Sequence, residues 1–137
     1  MGQSSIVAQS PWEIVGIRSL FSFGFVTWAV TGEVFSFGEH LDESSTFYMM
    51  QKADGVVVFK CVKNDKKFLR VNGNWVDSDG AGGPLCDFRV VTNDDETVSL
   101  RSVKFPDTLV AVDQEGRVIA TKVDHHHYSR KFVLART

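Results

Sequence analysis

Residues 58–79 read VFKCVKNDKKFLRVNGNWVDSD, and the architecture of the chain can be worked out from them. It contains short runs rich in Val, Phe and Leu, separated by the turn-forming KND and NGN, which is the composition of strands joined by tight turns. The pattern occurs twice more in the chain. Residues 16–37 read GIRSLFSFGFVTWAVTGEVFSF and residues 99–121 read SLRSVKFPDTLVAVDQEGRVIAT. Ile17, Phe59 and Leu100 correspond; each is followed by a basic residue (Arg18, Lys60, Arg101) and then a small one (Ser19, Cys61, Ser102). Gly32, Gly73 and Gly116 correspond in the second turn, and each unit closes on a phenylalanine: Phe47, Phe88 or Phe132. The period is about 42 residues, long enough to be a supersecondary unit.

No segment keeps a helical apolar period for three turns, and each unit divides into about four short strands. Three units of four strands are too few for a propeller. They suit an all-β β-trefoil, in which a six-stranded barrel is capped by three hairpins and the free sheet edges disappear. The expectation is one domain over residues 1–137, with repeats near 12–53, 54–95 and 96–137. Three sets of side chains, Ile17/Phe59/Leu100, Phe25/Phe68/Leu109 and Phe47/Phe88/Phe132, are expected to point inward in layers, since a small barrel must be filled by its own side chains. The turn glycines are expected at positive φ.

At 137 residues and 43% apolar content the chain is sized for one core. A formal charge of −2 gives no overall attraction to nucleic acid or acidic membranes. Cys61 and Cys86 are expected to be reduced thiols, because two cysteines make no disulfide framework at this length. The first fifteen residues show neither a charged nor a sustained apolar region of a secretory signal, and no run is long enough to span a bilayer, so a cytoplasmic location is expected. Gly2 follows Met1 as at a myristoylation start, but Ile6 stands where that motif has Ser or Thr.

The units KFLRVNGNWV and TLVAVDQEGRVIATK, each closing on Phe after a polar link, resemble the trefoil units of fascin and hisactophilin. Residues 109–132, LVAVDQEGRVIATKVDHHHYSRKF, are the most similar. Fibroblast growth factors share such repeats, and FLRVNGNWVDSDG is similar to theirs as well. The resemblance implies non-enzymatic binding of a protein by an intracellular module, with filamentous actin the leading partner. A secreted signalling ligand and a carbohydrate-binding trefoil are the alternatives. The chain departs from hisactophilin in having only His40 besides one histidine triplet, and it lacks the glutamine and tryptophan spacing of ricin-type sugar-binding repeats.

Candidate contact residues follow from charge and exposure. The hairpin KCVKNDKKFLR carries Lys60, Lys63, Lys66, Lys67 and Arg70, suited to an acidic protein partner. His125, His126 and His127 fall in a polar link beside Arg130 and Lys131, where protonation near pH 6.5 would add positive charge. The triplet is not a closed zinc site, which needs four ligands. Phe23 aligns with turn positions occupied by Asp65 and Pro106, so an aromatic ring is expected at an exposed tip. Cys61 aligns with Ser19 and Ser102, a small packing position rather than a nucleophile. No residue pattern points to catalysis, a metal or a cofactor, and the oligomeric state is not legible.

Overall fold

The structure is a computed structural model describing residues 12–53, 55–64, 66–122 and 128–136, with Tyr128 described by its backbone only. The described residues form twelve strands. The first unit holds β1 (Trp12–Ser19), β2 (Phe25–Trp28), β3 (Val34–Gly38) and β4 (Phe47–Ala53). The second holds β5 (Val56–Cys61), β6 (Phe68–Asn72), β7 (Trp75–Gly80) and β8 (Phe88–Thr92). The third holds β9 (Val98–Ser102), β10 (Thr108–Val112), β11 (Val118–Lys122) and β12 (Phe132–Arg136). No helix among them is long and apolar enough to cross a membrane.

The first and last strands of each unit pair in the cyclic order β1–β4–β5–β8–β9–β12 and back to β1, all antiparallel. That ring is the six-stranded barrel. The middle strands form the hairpins β2–β3, β6–β7 and β10–β11, which close one end. Single bridges join the hairpins to one another: Glu33 to Asp77, Phe35 to Arg117 and Ile119 to Trp75. The fold is the β-trefoil expected from the repeats.

Phe47, Phe88 and Phe132 are fully buried, as are Ile17, Phe59 and Leu100. The rings of Phe59 and Phe88 lie 5.9 Å apart in a tilted pair. The third layer differs from the expectation. Val26, Leu69 and Val110 point inward, whereas Phe25 and Phe68 are half-buried and Leu109 is buried outside the central cluster. Strand side chains alternate, so a shift of one residue exchanges core for periphery. Phe25 and Phe68 instead lie opposite Gly38 and Gly80 on the partner strand, beside an irregularity in each hairpin's register. The layers leave a void of only about 10 Å³ at the centre.

The turn glycines also need one correction. Gly32, Gly73 and Gly116 all have positive φ, but Gly73 is not structurally equivalent to the other two. Gly32 and Gly116 close three-residue loops, whereas Gly73 opens a two-residue loop between Asn72 and Trp75. The Ser36 N–H donates to the Gly116 carbonyl at 2.8 Å, Ser78 N–H to Gly32 at 2.9 Å and Ala120 N–H to Asn74 at 3.0 Å. Asn74 therefore holds the place of Gly32 and Gly116.

Ser36, Ser78 and Ala120 lie at corresponding buried positions. The Ser36 hydroxyl donates to the Gly116 carbonyl and accepts from the Ser22 hydroxyl, both at 3.0 Å. The Ser78 hydroxyl has no partner among the described residues. A buried hydroxyl without a partner costs about 1–3 kcal/mol. Ser78→Ala, which copies the third unit, should therefore raise the urea midpoint by the equivalent of about 1 kcal/mol. Ser36→Ala should lower it by a similar amount; equal effects in the two variants would contradict this assignment.

Candidate functional site

The turn between β1 and β2 presents Phe21 and Phe23, which are 43% and 66% exposed. Phe37, on the outer face of β3, is 59% exposed and stacks on Phe35 at 5.6 Å. Val34 and Ser36 alternate with them and face inward, so both phenylalanines are directed outward by the strand period. The groove between these rings and the third-unit turn Asp113–Gly116 has a volume of about 460 Å³.

Phe23 takes φ +62°, a left-handed conformation that costs a bulky side chain about 1–2 kcal/mol. A web of hydrogen bonds holds it there. The Phe23 N–H donates to the Ser19 carbonyl at 2.9 Å, and Arg18 Nε donates to the Phe23 carbonyl at 3.1 Å. The Ser19 hydroxyl accepts from the N–H groups of Phe21 and Ser22, and the single Ser22 hydroxyl proton is shared between the Ser36 carbonyl and hydroxyl oxygens. Gly24 lacks a Cβ where one would strike that same carbonyl, which lets the turn lie directly on β3. Strain sustained by surrounding bonds marks a position worth testing for function.

The floor is built across the chain. Gly116, at φ +83°, sits beneath the ring of Phe37, where a side chain would collide with it. Asp113 Oδ1 accepts the N–H groups of Glu115 and Arg117, which shapes the turn. The ionisable residues lining the groove are Glu39, Asp113 and Glu115, with no cation among the described lining residues. The site thus joins apolar ring faces to acceptors of hydrogen bonds.

The contact residues expected from sequence are dispersed. Phe23 is exposed at a turn tip, as its alignment required. Lys60 lies over the rings of Trp12 and Tyr48, at 4.5 and 5.5 Å from their centroids. Lys67 pairs with Asp79 at 3.0 Å, and Arg70 with Asp77 at 2.9 Å. Lys63 and Lys66 are exposed and have no ion pair among the described residues. Lys131 pairs with Asp95 at 2.7 Å, while Arg130 lines a second groove beside Phe21 and Gln114. His125, His126 and His127 lie outside the described residues. Among the described residues no cluster of three metal-ligating side chains occurs.

Glu39, Asp113 and Glu115 were not singled out from sequence, since Phe37 and Gly116 meet only in the folded chain. The alternation of Phe35 and Phe37 with Val34 and Ser36 was the available signal for an outward aromatic pair.

No family model and no curated protein sequence matches the chain. Similar solved structures include a designed three-fold symmetric protein, ThreeFoil, with TM-score 0.77 and 13% identity over 89% of this chain and 97% of that one. The BEL β-trefoil gives TM-score 0.77 and 12% identity over 94% and 96% of the two chains. A GlcNAcα1-4Gal-releasing endo-β-galactosidase from Clostridium perfringens gives TM-score 0.78 and 14% identity over 91% of this chain. This chain spans only 32% of that enzyme. These likenesses establish the trefoil and nothing finer.

Cys61 and Cys86 are both buried and unpaired. Burial pushes the Cys61 thiol up to about 12 from its ordinary 9.0, so the thiolate is scarce near neutrality. A folded-state pKa above the unfolded one stabilises the protein below the unfolded pKa, and that contribution fades as pH climbs toward the folded value. Unfolding midpoints should therefore fall as the pH rises above 9.0 toward about 12, less steeply in Cys61→Ser. At pH 8 a disulfide reagent should label Cys61 only after denaturation; rapid labelling of the folded chain would contradict its burial.

Proposed function

We propose that the chain is a non-enzymatic binding module that takes an uncharged saccharide in the groove formed by Phe21, Phe23, Phe37 and the Asp113–Gly116 turn. The observation that carries this reading is three exposed rings beside three carboxylates, with one ring held out in a strained conformation. A sugar ring has an apolar face of C–H groups and a rim of hydroxyls. The first suits the face of an aromatic ring and the second suits carboxylates, which accept strong charge-assisted hydrogen bonds. The groove's volume falls within the range of about 300–1,000 Å³ common for small-ligand sites. Its carboxylates would repel sulfated or sialylated ligands, so the favoured class is neutral. The occurrence of the fold within a galactosidase is a further reason to begin with saccharides.

A second reading rests on Lys63 and Lys66, exposed and unmatched by acidic side chains among the described residues. They leave open contact with an acidic protein surface, filamentous actin by resemblance to fascin. Salt-sensitive co-sedimentation with actin that disappears in a Lys63→Glu, Lys66→Glu double variant is its expected signature. Absence of pelleting at low salt would remove it.

For the saccharide reading, the protein is applied to arrayed neutral, sialylated and sulfated glycans, followed by titration calorimetry. Binding should be confined to neutral glycans. Phe23→Gly should weaken it about tenfold or more, the scale of one aromatic contact, while raising stability by about 1 kcal/mol through relief of the positive φ. Opposite movements of affinity and stability separate a binding role from damage to the fold. Unchanged affinity in Phe23→Gly, or preference for anionic glycans, would overturn the reading.

A further inference from the structure

The groove has counterparts around the barrel axis because the bonds Ser36 to Gly116, Ser78 to Gly32 and Ala120 to Asn74 repeat the same frame. In each place the next residue of the outer hairpin strand, Phe37, Asp79 or Thr121, lies beside the preceding unit's turn. The second-unit copy is closed to a ligand of this type. There the Asp79 carboxylate covers Gly32 and is tied to Lys67 by an ion pair of 3.0 Å.

The third-unit copy is open, and from it we infer that the chain has a second, weaker site for a neutral saccharide, between Phe105 and the Gly73–Asn74 loop. This rests on the saccharide reading of the first groove. The cavity measures about 350 Å³ and is lined also by Thr121 and Lys122. Phe105, at the turn between β9 and β10, is 42% exposed, the third-unit counterpart of the exposed aromatic turn in the first unit. Its turn is held by a similar device: the Ser102 hydroxyl accepts the N–H three residues on, that of Phe105, at 3.0 Å, as the Ser19 hydroxyl accepts that of Ser22 at 3.2 Å.

The chemistry selects the same ligand class. Asn74 and Thr121 each offer a donor and an acceptor, which suits hydroxyls. Lys122 at the rim is matched by Asp107 at 3.4 Å, so the groove favours neither an anion nor a cation. One exposed ring in place of three makes this site the weaker. Two grooves in different units also allow one chain to engage two branches of a polyvalent glycan, where linkage raises apparent affinity without new contacts.

Backbone amide NMR decides the matter with methyl glycosides of galactose, N-acetylglucosamine, mannose and fucose as probes. The expected result is two groups of shifted amides for the same sugar, one near Phe21, Phe23 and Phe37 and one near Asn74, Phe105 and Thr121. The second group should saturate at higher concentration. Phe105→Ser should abolish the second group and keep the first, whereas Phe23→Ser should shift saturation of the first group to about tenfold higher concentration or more and keep the second; both positions are exposed, and the remaining spectrum reports that the fold survives. Shifts confined to the first groove would overturn the second site and leave the first intact. Shifts in the second group that persist in Phe105→Ser would also overturn it, and no shifts with any probe would overturn both.

Discussion

Each hairpin of this trefoil is completed by the unit before it. The outer strands β3, β7 and β11 meet near one axis, where none of them can present an unpaired edge without leaving backbone groups unsatisfied. Ser36, Ser78 and Ala120 resolve this by donating to carbonyls at Gly116, Gly32 and Asn74 in the neighbouring unit. The barrel ring adds its own closure through β1 and β12. A unit alone would have neither bond, so the three parts are stable only together.

That exchange of hydrogen bonds also determines where binding surfaces arise. A turn from one unit is pressed against the outer strand of the next, and the side chain that follows the bonded residue must lie over the turn. Phe37 over Gly116 yields an apolar floor; Asp79 over Gly32 is neutralised by Lys67; Thr121 beside Asn74 stays polar and open. One backbone frame thus gives three surfaces with different chemistry. The frame constrains strand parity, turn placement and closure rather than residue identity, which is consistent with equally complete trefoils at 12–13% identity.

Electrostatics within the folded chain changes the meaning of the basic hairpin. Arg70 is bound through two nitrogens to Asp77, with Asn72 and the Asp79 N–H on the same carboxylate. Burial raises the pKa of Asp77, yet these bonds outweigh it and hold the carboxyl below its ordinary value. Lys67 is matched by Asp79 and Arg70 by Asp77, while Lys60 keeps its charge over aromatic faces, so the local excess of charge is carried by Lys60, Lys63 and Lys66. The aromatic turn of the first unit shows the opposite case. Its hydrogen bonds run within the turn and to the backbone of β3 and Lys131, and they leave the rings of Phe21 and Phe23 exposed.

The repeat, the strand count and hence the closed all-β fold are legible in the amino-acid sequence, because period, turn residues and apolar spacing are local properties that three copies reinforce. It also placed Phe47, Phe88 and Phe132 in the core and Phe23 at an exposed tip. It misassigned Phe25 and Phe68, whose equivalence as apolar positions of the repeat suggested burial, since the inward positions one residue on are taken by Val26 and Leu69 and only the paired register reveals the parity. It treated Gly73 as the partner of Gly32 and Gly116, although a loop one residue shorter moves that place to Asn74. That Phe37 rests on Gly116, that Glu39 and Glu115 share a groove with three rings, and that Lys67 and Arg70 are already paired emerges only once the chain is folded. The groove joins residues as far apart as Phe21 and Gly116 through the packing of one hairpin on the next, whereas Lys67–Asp79 and Arg70–Asp77 are set by the register across β6 and β7.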